Sequence, residues 1–290
     1  MPRTCPISIT ADSHGLAGNL VLPDQALPES PVPGAVVLGG PGPLPLQRYS
    51  PQGAKQWPVL WTEALAAAGI AGLCYDQRGS GLSTGLYHEA DWDALYDDAL
   101  AAVEMLRAQP EVIQVAAIAW ADGCHFALQM AAQGKVDALI LLAPGFYTAE
   151  ERYTRNIRSL ASRRGLSERV VQLRVQQWRR SIEEALDLVK QGHCISTVQL
   201  GEGQQVQTNL VRFLTGIAFD PSLLLPHVKV PVLLLHGEQD AVIPPDESQM
   251  MAAHLPGPHD RITYRGINHF IYRYSGPMKD GAAWLSQVLV

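Results

Sequence analysis

An apolar run, Val115-Ala116-Ala117-Ile118-Ala119-Trp120, passes straight into a helical stretch through Ala121-Asp122-Gly123-Cys124. A tight strand-to-helix turn of this kind can hold a nucleophile at its apex, and it needs small residues two positions before and after. Ala119 and Gly123 meet that need, so the apex falls on Ala121. An apex at Asp122 would put bulky Trp120 in a small position, and one at Cys124 would put Asp122 and Phe126 there. The position where a serine is expected therefore carries no reacting atom.

Two other groups complete a relay. The run Val232-Leu233-Leu234-Leu235-His236-Gly237 leads into a loop bearing Asp240, and Gly266-Ile267-Asn268-His269 places a histidine after the last strand-like segment. In such a relay His269 takes the nucleophile's proton, and Asp240 fixes its tautomer and stabilises the imidazolium. His236, inside the strand-end turn, reads as structural. After the apolar run 35–38 comes Gly39-Gly40-Pro41-Gly42-Pro43. A glycine-rich turn there can aim a backbone N–H at a developing oxyanion. Pro41 has no N–H, which makes Gly40 one candidate donor and Asp122, after the apex, the other.

These groups need elements to hold them. Eight strands are expected near 6–10, 16–22, 35–38, 71–75, 115–120, 138–142, 232–236 and 261–264. The middle ones are apolar on both faces, as strands of a covered parallel sheet must be. Asp12-Ser13-His14-Gly15 reads as a hairpin turn between the first two. Helices are expected near 57–68, 92–107 (capped by Asp91), 122–133, 247–254 and 277–288. From 146 to 228 the alternation stops and only helix is expected, with Ser167 capping a long one whose apolar positions recur every three or four residues. The organisation expected is a core of 1–145 and 229–290 with a helical cap, 146–228, over a pocket. The cap's Trp178, Phe213 and Leu214 suggest room for a hydrophobic acyl or alcohol group.

Composition narrows the partners. The chain has 290 residues, 47% hydrophobic and 17% charged, with a net charge of −6. Nucleic acid is not expected as a partner, because phosphate binding needs clustered Lys and Arg. Arg163-Arg164 and Arg179-Arg180 are short clusters among carboxylates and read as a solvated helix face. Cys5, Cys74, Cys124 and Cys194 have neither zinc nor disulfide-framework spacing. No metal or organic cofactor is implied. With no apolar core of signal-peptide length in the first fifteen residues and no span-length apolar run, a cytoplasmic location is expected, and the oligomeric state is left open.

The order of nucleophile position, acid and histidine, together with the glycine turn, resembles the α/β-hydrolase superfamily. Tyr75-Asp76-Gln77-Arg78-Gly79-Ser80-Gly81-Leu82-Ser83 looks like the superfamily's D-x-R-G-x-G-x-S turn, which is usually structural. The stretches 236–244 and 266–269 look most like capped bacterial carboxylesterases, and 39–42 with 76–81 are similar to proline iminopeptidases. The resemblance implies an eight-stranded, mostly parallel sheet flanked by helices, and an acyl-enzyme carboxylesterase acting on a small ester or related acyl substrate. Aminopeptidase activity is the second alternative. Where these families have serine, this chain has Ala121. Either it is a Ser→Ala variant of a serine esterase, or the natural protein lacks the serine. In the second case it would use His269 and Asp240 as a general base, as a lyase, isomerase or cyclase would, or would bind a ligand without turnover.

Overall fold

The computed structural model describes residues 1–40, 42, 55–199 and 205–289. It falls into two compact units. One comprises Met1–Leu86, Leu95–Phe146 and Pro221–Val290, and the other comprises Tyr87–Ala94 and Tyr147–Asp220.

The first unit is built on a sheet. Its first elements are β1 (Arg3–Ala11), β2 (His14–Leu22), β3 (Val32–Leu38), α1 (Trp57–Ala67), β4 (Ala71–Tyr75), α2 (Trp92–Arg107, in this unit from Leu95 on), β5 (Val112–Trp120), α3 (Gly123–Ala132) and β6 (Ala138–Leu142). β1 and β2 join through the two-residue turn Asp12-Ser13, in which Asp12 takes a φ of 50°. Paired hairpin turns need that conformation, and Asp tolerates it better than most residues. Every residue of β4 and of β6 is buried. Side chains such as Leu139 and Ile140, shielded on both faces, each contribute about 1.5–3 kcal/mol relative to exposure. On α2 the stripe Leu95, Ala99, Ala102, Val103 and Leu106 is buried, and Asp91 Oδ1 caps the helix by accepting from Ala94 N at 2.8 Å.

The second unit holds α4 (Ala149–Arg163), α5 (Glu168–Lys190), β7 (Ile195–Gln199), β8 (Gln205–Asn209) and α6 (Leu210–Gly216). α4 opens on a capping box, with Thr148 Oγ1 accepting from Glu151 N and Glu151 Oε2 accepting from Thr148 N. α5 begins after Ser167 as expected, but the serine hydroxyl makes no capping bond. Trp178 is half-buried and stacks on Tyr153 at 5.3 Å. The antiparallel pair β7–β8 corrects the expectation of helix alone in this stretch. Its sequences, ISTVQ and QVQTN, are largely polar, so no apolar alternation marks them as strands.

The chain then completes the first unit with β9 (Val232–Gly237), α7 (Asp246–His254), β10 (His259–Tyr264) and α8 (Ser275–Val288). The eight strands lie in the order β1-β2-β4-β3-β5-β6-β9-β10. β1–β2 and β2–β4 run antiparallel and all other neighbours parallel. This is the eight-stranded, mostly parallel sheet with flanking helices that the sequence led us to expect. Groups at the carboxyl ends of β3, β5, β9 and β10 follow parallel strands, where open α/β sheets place their ligand sites.

One loop is purely architectural. After β4, Asp76 N donates to Ala17 O, Asp76 Oδ2 accepts from Leu82 N, and Ser83 Oγ donates to Asp76 O. Arg78 forks onto buried Asp98 with bonds of 3.0 and 2.7 Å. The D-x-R-G-x-G-x-S segment thus ties β2, β4 and α2 together.

Candidate active site

The turn after β5 has one residue in the left-handed region, Ala121, at a φ of 51°. Asp122, at the N-cap of α3, is right-handed at −63°. A non-glycine residue held there costs roughly 1–2 kcal/mol, and the surroundings hold it. Ala121 N donates to Leu142 O at 3.1 Å, and Cys124 N donates to Ala121 O at 3.0 Å. Gly123 must be glycine, because a Cβ there would lie 2.5 Å from Gly39 O. The close approach that demands a small residue is therefore between the start of α3 and the end of β3. Cys124 is not placed to act as a nucleophile. It is fully buried, its thiol faces Ala119 O at 3.3 Å, and burial pushes its pKa far up.

Beyond β9, Asp240 is buried. Its Oδ1 accepts from Val242 N and Ile243 N, both at 2.9 Å, and its Oδ2 faces His269 Nδ1 at 2.7 Å. The carboxylate can only accept, so Nδ1 carries the proton and leaves Nε2 as the acceptor of the ring. Burial pushes the Asp240 carboxyl up, but His236, His269 and the Ile243 N–H together hold it well below the usual carboxylate range. Asp240 is thus an anion that orients His269.

That depressed pKa fixes a sign. The stability contributed by Asp240 is present above the unfolded carboxyl pKa of about 4 and is lost as pH falls through the lower folded value. Thermal unfolding midpoints are expected to fall as pH drops below about 4. Asp240→Asn should flatten that dependence, and an equal acid slope in both proteins would refute the assignment.

The acid and histidine loops meet because Gly237 has no side chain. A Cβ there would lie 2.3 Å from Ile267 O and 2.7 Å from Asn268 O. Since backbone cannot yield as a flexible side chain can, Gly237→Ala is expected to cost about 1–3 kcal/mol and to loosen the contact between Asp240 and His269. Chemical denaturation would measure the first effect, and a stability within error of the parent would exclude it.

Two residues matter more than their sequence positions suggested. Trp120 Nε1 donates to His269 O at 3.0 Å, its ring packs on the imidazole at 5.2 Å, and a Cβ on Gly40 would strike it at 2.5 Å. It joins the elbow, the histidine loop and the glycine turn. Its only sequence signal is its bulk at the end of the run 115–120, otherwise made of small and aliphatic residues. His236, fully buried, points Nε2 at Ile243 O at 2.9 Å and lies 3.3 Å from Asp240 Oδ2. Both neighbours are acceptors, so Nε2 is protonated. Its buried Nδ1 has no hydrogen-bond partner among the described residues, and protonation there would leave a donor unsatisfied. His236 is therefore a donor that holds the loop around Asp240.

Of the candidate oxyanion donors, Gly40 is buried just beyond β3 and its carbonyl accepts from Gln77 Nε2 at 3.4 Å. Asp122 sits at the head of α3. Pro41 and Pro43 of the glycine turn lie outside the described residues.

Residues 59–273 match the family described as serine aminopeptidase, S33. The chain belongs to this family. No curated protein matches the sequence. Among solved structures, Est1E from Butyrivibrio proteoclasticus with ferulic acid bound is 17% identical, with 97% of this chain and 96% of that one covered at a TM-score of 0.64. A Pyrococcus furiosus esterase is 16% identical over 99% of this chain and 91% of that one, with a TM-score of 0.63. A putative hydrolase from Agrobacterium vitis is 17% identical over the full length of both, with a TM-score of 0.66. These likenesses show a shared fold. This S33 chain carries an alanine in the left-handed turn after β5 and a buried, bonded Asp–His pair.

Proposed function

We propose that this S33 chain is a carboxylesterase of the serine-hydrolase type whose nucleophile has been replaced by Ala121, so that it binds a small acyl substrate without forming an acyl-enzyme. One observation supports the reading above all. The Asp240–His269 pair keeps its 2.7 Å bond while the apex keeps a left-handed alanine, the backbone conformation a nucleophile at that turn would need. Strain and buried charge persist where function selects them. Their joint survival favours a serine lost by substitution over a relay long out of use. Gly40 N and Asp122 N are the proposed oxyanion donors. Restoring serine at position 121 and reading covalent labelling by a fluorophosphonate, with turnover of p-nitrophenyl esters, tests the proposal. Because the family's description is that of aminopeptidases, aminoacyl p-nitroanilides belong in the same panel and decide between ester and amide.

The intact pair also supports a second reading. His269, oriented by Asp240, has Nε2 free to act as a general base toward water or a substrate O–H or C–H, with the same N–H donors stabilising an alkoxide or enolate. This reading predicts activity in the chain as it stands, abolished by His269→Ala.

A further inference from the structure

Charge is distributed unevenly along the chain. Residues 149–180 hold nine arginines and three glutamates, with no lysine or aspartate, in a protein whose net charge is −6. This stretch is α4, the turn after it and the first half of α5. Its three acids are already engaged. Glu150 pairs with Arg179, Glu168 pairs with Arg158 at 3.0 Å, and Glu151 closes the capping box of α4. The side chains of Arg163, Arg164, Arg169, Arg174 and Arg180 are all exposed and make no hydrogen bond or ion pair among the described residues. All four arginines of the clusters Arg163-Arg164 and Arg179-Arg180 are exposed, and among the described residues only Arg179 is paired with a carboxylate.

Apolar side chains stand among these arginines. Leu160, Leu166 and Leu173 are exposed by 42%, 45% and 50%. Arg163 and Arg164 follow Leu160 by three and four positions, and Leu173 follows Arg169 by four, so each leucine shares a helix face with an arginine. Leu166 lies in the turn between α4 and α5. Leucine set among arginines on exposed helix is the pattern of interfacial segments, where cationic heads meet lipid phosphates and the apolar tips enter the headgroup–acyl boundary.

We infer that the α4–α5 turn and its flanking helix faces dock on an anionic lipid surface, with the five unpaired arginines meeting headgroup phosphates and Leu160, Leu166 and Leu173 entering the interface. The inference is independent of any activity at Ala121. A nucleic acid would engage the arginines but would give the three exposed leucines nothing to do. A second copy of the chain would have to present an acidic surface with an apolar centre. Both are outcomes the test separates.

The experiment is flotation of the full chain with vesicles of phosphatidylcholine, with and without phosphatidylglycerol. Binding is expected to rise about tenfold or more with the anionic lipid and to fall as salt is raised. The triple change Arg163→Glu, Arg164→Glu, Arg169→Glu should abolish it. Leu160→Ser, Leu166→Ser, Leu173→Ser should weaken it severalfold at fixed salt, with unaltered circular dichroism in both. Equal recovery with both vesicle types overturns the inference, as does full binding by the leucine variant. Tighter binding to a DNA duplex than to vesicles, or self-association lost in the arginine variant without vesicle binding, also overturns it.

Discussion

Ala121→Ser is expected to raise ester turnover by about a million-fold, the loss that follows when the nucleophile alone is removed from an otherwise complete serine relay. The size of the effect follows from how much is already built. His269 presents an unprotonated Nε2 because Asp240 holds the proton on Nδ1, and the apex backbone already sits at a φ of 51°. The substitution adds one oxygen to a position only 3% exposed, without asking for a new backbone conformation. Fluorophosphonate labelling of the serine-restored protein, with none in the parent, would be the first sign. If both proteins stay unlabelled and inert toward esters and nitroanilides while remaining folded, the acyl-enzyme proposal fails. The general-base reading then becomes the one to pursue.

How readily this site could be read from sequence depended on what kind of feature carried each part. The eight sheet strands were legible because burial on both faces leaves continuous apolar runs, as in Ala138–Leu142, and because helices with clear stripes separate them. Asp240 and His269 were legible by order along the chain and by their places after strand-like runs. The hairpin β7–β8 was not, because strands built of Gln, Ser and Thr carry no hydrophobic period. Nor could the sequence show that Trp120 links three loops, or that His236 is a donor beside Asp240. Both facts depend on which strand ends the sheet order brings side by side. The arginines of α4 and α5 show the same limit from the other direction. The sequence placed them on a solvated helix face among carboxylates, and only the fold reveals which pairs form.

In the serine-restored protein, Asp240→Asn is expected to lower kcat by about ten-thousand-fold, the consequence of presenting the wrong histidine tautomer. The hydrogen bonds around position 240 decide how the amide would sit. Val242 N–H and Ile243 N–H both point at Oδ1, so the amide oxygen must stay there and its NH2 must turn toward His269 and His236. His269 can answer by moving its proton to Nε2, which satisfies Nδ1 as an acceptor but leaves no base facing the nucleophile. His236 cannot answer in the same way. Its Nε2–H is needed by Ile243 O, so it would face a second donor across 3.3 Å. The variant should therefore lose kcat with little change in KM, since no group that contacts substrate has been removed, and it should also lose some stability through the loop. Asp240→Asn in the Ala121 chain supplies the control. Ligand affinity there should be nearly unchanged, because the relay is not needed for binding. A serine-restored Asp240→Asn protein that keeps its kcat would show that Asp240 does not set the tautomer of His269.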